Sequence, residues 1–152
     1  MSMAGTAGGI IGLGILIVCY LGAWEFVPRG KYTFEHRGPG SFEPTLARYD
    51  GLVKFIVGLA TGSIAIVTGT SLFRNAGSVP QIMGSPLVLL AMSVVFFVMF
   101  LGLTSFFYED WLHHQNQTHH KYRISVALGF AGLLCFAAGY FMLAFALVGH
   151  GK

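Results

Sequence analysis

Four histidines in one short polar stretch are the residues best suited to chemistry: His113, His114, His119 and His120, arranged HH-x4-HH. Imidazole is a common ligand for zinc, copper, iron and nickel, and four rings this close in sequence are enough to surround one ion. Glu109 and Asp110 lie just before them and add carboxylates. The spacing matches no motif with known mechanics, such as HExxH, in which two histidines share one helix face. The plainer reading is a wet loop whose histidines meet lipid head groups or a partner. No resident cofactor is therefore expected, with a metal ion at this loop as the alternative.

The same hairpin carries a second pattern. Glu109 and Asp110 stand at the end of one apolar stretch, and Lys121 and Arg123 open the next. Acids at a helix C-terminus face the negative end of the macrodipole, a mild cost. Ion pairing between these acids and the two cations would offset it and hold the hairpin together. Glu25, near the end of the first apolar stretch, is expected to snorkel or to pair with a loop arginine.

No His, Asp, Glu, Lys or Arg occupies the middle of any of the four apolar stretches. Ionisable groups within the membrane normally mark proton relays and ion paths, because burying them is expensive. A self-contained proton-coupled pump is thus disfavoured, and the spans offer no pair of haem-ligating histidines. No phosphate-binding glycine loop or Ser/His/Asp set can be assembled. Catalytic residues are expected to be absent.

These features are positioned by a chain in which apolar residues dominate. It has 152 residues, of which 55% are hydrophobic and only 10% charged, against about 25% charged in soluble domains. The net charge of +3 comes without a basic run, so juxtamembrane Lys and Arg explain it and nucleic acid is not an expected partner. Stretches of about 8–28, 51–73, 86–108 and 124–149 are each long enough to cross a bilayer core, which takes roughly 20 apolar residues as a helix. The expected fold is all-α: a single domain over 1–152, an integral membrane bundle of four transmembrane helices with short loops. Ser85-Pro86 reads as the N-cap and first position of the third span, and Pro44 as the start of a short interfacial helix before the second.

Small residues supply the packing signal. Gly58, Gly62, Ala65 and Gly69 fall four, three and four apart along one face of the second span, and such grooves let helices approach closely in lipid. Thr61, Ser63, Thr68 and Thr70 lie on or beside that face. The second span is the expected packing centre, and Ala131, Cys135 and Gly139 on the fourth span form its expected mate. Gly8 and Gly12 make a further contact strip on the first. Cys19 and Cys135 lie inside spans and read as buried thiols.

Arg29, Lys31, Arg37, Arg48, Lys121 and Arg123 fall on one side of the membrane, and only Arg74 and Lys152 on the other. The positive-inside rule puts loops 29–49 and 109–123 in the cytoplasm and both termini outside. The expected function is that of a non-catalytic accessory or structural subunit of a larger membrane complex, in contact with lipid and with other integral subunits or copies of itself. Two alternatives belong to other classes. One is a homo-oligomeric pore lined by Thr61, Ser63, Thr68 and Thr70; the other is a membrane enzyme or metal-binding protein that uses the histidine loop.

Overall fold

In a computed structural model of the chain, residues 3–27, 43–69, 81–114 and 119–149 are described. They form four α-helices: α1 (Met3–Phe26), α2 (Glu43–Gly69), α3 (Gln81–His114) and α4 (His119–Gly149). There is no strand among the described residues. Each helix is long and apolar enough to cross a membrane, and a helix satisfies its backbone polar groups internally, as a hydrocarbon solvent demands. The outer faces are apolar as well. Ile10, Val18, Phe55, Ile66, Phe141 and Phe145 are all at least 65% exposed, a surface suited to lipid and not to water. The chain is an all-α, multi-pass membrane bundle.

The helices overrun the expected spans. α3 has 34 residues, about 51 Å at 1.5 Å per residue, against a hydrocarbon core of roughly 30 Å. The helix is therefore longer than an untilted crossing requires. Pro86 does not open this helix as the Ser85-Pro86 pair suggested; it lies inside it, buried, with the helix already running from Gln81. Its missing N–H removes the bond to the carbonyl four residues back, and a position this early in the helix limits the damage. α2 likewise runs unbroken from Glu43, with Pro44 in its first turn, where proline is tolerated. No separate interfacial helix precedes it among the described residues.

The packing centre is α3, not α2. α3 packs on each of the other three helices, whereas α2 lies chiefly on α3. Its buried positions, Pro86, Leu89, Leu90, Ser93, Phe96, Phe97, Phe100, Thr104, Tyr108 and Trp111, recur every three or four residues, the period of a helix face. Large side chains on α3 meet small ones on α4. A methyl group at Gly132 would sit 3.2 Å from the Phe97 ring, one at Gly129 3.3 Å from Phe100, and one at Gly139 3.0 Å from Leu90. The small stripe of α4, in which Ala131 and Cys135 are fully buried, thus receives the aromatic stripe of α3 and not the glycine face of α2. α1 completes the bundle through Gly8, which packs on the Ser85 backbone, and Gly12, which packs on Met92.

Candidate functional site

The polar chemistry gathers where α1 and α3 end and α4 begins. Asp110 and Lys121 form the ion pair expected across the α3–α4 hairpin. Phe107 lies beneath the same ammonium group, with the Lys121 Nζ 5.6 Å from its ring centroid. Glu109 is exposed, and Arg123 turns away from both acids. The Arg123 side chain is 5% exposed; Nη2 donates a 3.1 Å hydrogen bond to the Val27 carbonyl just past α1. Its guanidinium lies 4.5 Å from the centroid of the Trp24 ring. A cation at a helix C-terminus satisfies an orphan carbonyl and complements the macrodipole. So Arg123 caps α1 in place of closing the hairpin.

Three side chains in this arrangement, Trp24, Tyr108 and Trp111, carry no sequence signal of their roles. Trp24, which the sequence places in the interfacial belt, is the platform for Arg123 and also meets the His120 ring at a centroid distance of 5.6 Å. The reason lies in helix ends that are close in space and far apart in sequence, and no local spacing reveals that. Tyr108 and Trp111 stack at 5.8 Å beside Phe107 and Tyr122, closing the bundle at this end.

The histidines divide. His113 is exposed at the end of α3, and His120 is exposed with one face on Trp24. The backbones of His114 and His119 fall in helices, but their side chains, like residues 115–118, lie outside the described residues. No group of three or more His, Cys, Asp or Glu residues that could hold a metal ion occurs among the described residues.

On the second span, the small residues and the hydroxyls behave differently from one another. A methyl group at Gly58, Gly62 or Gly69 would meet nothing within 4 Å, and Ala65 is exposed. Thr61 and Thr68 donate to carbonyls of their own helix, Val57 at 2.7 Å and Ile64 at 2.8 Å. Ser63 instead reaches α4, hydrogen-bonding the Tyr140 hydroxyl, which donates to the Leu59 carbonyl at 3.2 Å. Tyr140 is thus the polar tie between α2 and α4. Near the start of α2, Lys54 pairs with Asp50 at 2.6 Å, one turn apart. Thr70 lies outside the described residues.

No family model, curated protein or solved structure matches this chain.

Proposed function

We propose that the protein is a non-catalytic integral membrane subunit, packed through the Gly58/Gly62/Ala65/Gly69 face of α2 against another membrane chain or a second copy of itself. The observation that carries this reading is a contrast within one molecule. Where helices of this chain touch, glycines sit at the contacts: Gly8, Gly12, Gly129, Gly132 and Gly139 each face a neighbour at close range. Gly9, Gly14 and Gly102 face open space singly, whereas Gly58, Gly62 and Gly69 of α2 do so together along one face, among the described residues. Against lipid tails a smooth groove gains nothing over leucine, whereas against a helix it permits close packing. The pore reading draws less support, because Thr61 and Thr68 spend their hydroxyls on their own backbone.

The orientation belongs to the same proposal: the helix ends that carry Arg48, Lys54, Lys121 and Arg123 face the cytoplasm, by the positive-inside rule. Native mass spectrometry of protein purified in mild detergent tests the assembly. The expected result is a fixed-stoichiometry complex that is lost in the Gly58→Leu/Gly62→Leu variant, whose own helices have space for the added side chains. A wild-type chain that remains monomeric in nanodiscs of its native lipid would overturn the reading.

A further inference from the structure

The α2–α3–α4 side of the bundle holds a cavity of about 250 Å³. α2 and α4 form its walls, with Val53 and Ile56 on one and Phe130 and Leu133 on the other; Phe100 and Thr104 of α3 form its floor. Its lining is almost wholly apolar, and it lies towards the membrane end where α2 and α4 begin. Among the polar side chains of the lining, which are those of Tyr49, Thr104, Tyr122 and Ser125, Thr104 points to an occupant. It is 2% exposed, and its Oγ1 has no hydrogen-bond partner among the described residues. Thr61 and Thr68 show what a threonine in these spans ordinarily does, which is to bond the carbonyl one turn back. In its present position the Oγ1 is shielded from the cavity, and the second χ1 rotamer open to a helical threonine is the one that would present it to an occupant. A buried hydroxyl left without a partner in hydrocarbon is costly.

Charge narrows the occupant further. Of the described cations at this end, Lys54 pairs with Asp50, Lys121 with Asp110, and Arg123 with Val27 and Trp24, while Arg48 stands exposed on the surface. The lining itself holds no charged side chain, so an anionic group inside the cavity would have no counter-charge. The volume falls below the roughly 300–1,000 Å³ typical of sites for drug-sized ligands, which suits one chain or one ring system and not a large cofactor. We infer that this cavity binds a neutral membrane-dissolved molecule, an apolar chain or ring bearing one hydroxyl or carbonyl, with its polar group on Thr104.

The test uses the full-length protein reconstituted in phosphatidylcholine vesicles and a hexadecanol probe carrying a diazirine and an alkyne. The expected result is saturable labelling on peptides containing Val53–Ile56 and Phe130–Leu133, competed by unlabelled hexadecanol. Thr104→Val keeps the shape and removes the hydroxyl, so half-saturation should rise about fivefold, the loss of one net hydrogen bond. Val126→Phe fills the cavity from its α4 wall and should abolish saturable labelling, with circular dichroism confirming that the helices remain. Labelling that is unsaturable and spread evenly over the outward faces of all four helices overturns the inference. So does stronger labelling by the corresponding hexadecanoate probe, which would mean an anionic ligand. Exclusion of every probe, with cavity residues cross-linking to a second copy, overturns it in favour of a protein occupant.

Discussion

Arg123 is the only basic side chain among the described residues that is buried, and its two contacts set what its loss should do. A hydrogen bond from a charged group contributes about 1.5–3 kcal/mol, and a desolvated cation–π contact about 2 kcal/mol. Its unpartnered Nε subtracts from that sum, as the desolvation of any buried charge does. Arg123→Met should therefore destabilise the bundle by about 2 kcal/mol in denaturant titration in micelles. Arg123→Lys should recover only part of this, because a lysine ammonium lacks the planar face that stacks on Trp24. Lys121→Ala should cost less than about 1 kcal/mol, since its pair with Asp110 is partly solvated, with the two side chains 30% and 27% exposed. An Arg123→Met variant as stable as wild type would show that the cap on α1 contributes nothing. The hydroxyl of Tyr140 is a smaller case. Tyr140→Phe removes the links to Ser63 and Leu59, and hydrogen bonds between membrane helices average about 0.6 kcal/mol. The expected loss is about 1 kcal/mol, with faster amide exchange in α2.

At the scale of helices, stability depends on which neighbour each glycine meets. A methyl group at Gly8 would stand 2.8 Å from the Ser85 carbonyl oxygen, a backbone atom that cannot move without its helix. One at Gly12 would crowd the Met92 sulfur, the tip of a flexible side chain that can re-pack. Gly8→Ala should therefore be clearly the more damaging, with overpacking costs of about 1–3 kcal/mol, and Gly12→Ala nearly silent. Equal midpoints in denaturant for the two variants would contradict this account of the α1–α3 contact. The same distinction explains how far the sequence could be read. Four apolar stretches and their small-residue faces were plain from composition and period; the sequence offered Glu109 and Asp110 against Lys121 and Arg123 as candidate pairs, without saying which acid meets which cation. The partner of each face was not plain. Ala131, Cys135 and Gly139 look equally able to receive the glycines of α2 or the phenylalanines of α3, because a small-residue stripe records only that something large or close lies opposite. Pro86 misled for a related reason: Ser-Pro is a helix-start signal in isolation, but buried contacts on the preceding turn, with Met83 1% exposed, carry the helix five residues further back. Trp24 shows the limit most clearly, since both of its partners lie on α4, about 100 residues along the chain.

For the molecule as a whole, its outer surface and its polar end are two demands on one orientation. The apolar faces of α1 and α4 require lipid on their outer sides, while α3 is some 20 Å longer than the hydrocarbon core by the same 1.5 Å rise. The Glu109–His114 end, beside the Asp110–Lys121 pair and the Arg123 cap, carries the polar side chains suited to the head groups. Positive charge there should hold it on the cytoplasmic side, because short loops rich in Lys and Arg resist translocation. Single cysteines provide the check. Cys19 and Cys135 lie within the spans, so both can be replaced by alanine to give a background without competing thiols. In intact cells, a membrane-impermeant maleimide should label Lys152→Cys and leave Asn116→Cys unlabelled until the membrane is permeabilised. The reverse pattern would mean that the charge at this end does not set the topology. Moving positive charge gives the stronger version: neutralising Arg29, Lys31 and Arg37 while adding lysines beside Arg74 should produce a mixed population, with Asn116→Cys partly labelled from outside. A bundle whose orientation instead follows a partner bound to the open face of α2 would keep its topology under that change and lose it in Gly58→Leu/Gly62→Leu. One labelling series thus separates an orientation set by the chain's own charges from one set by its assembly.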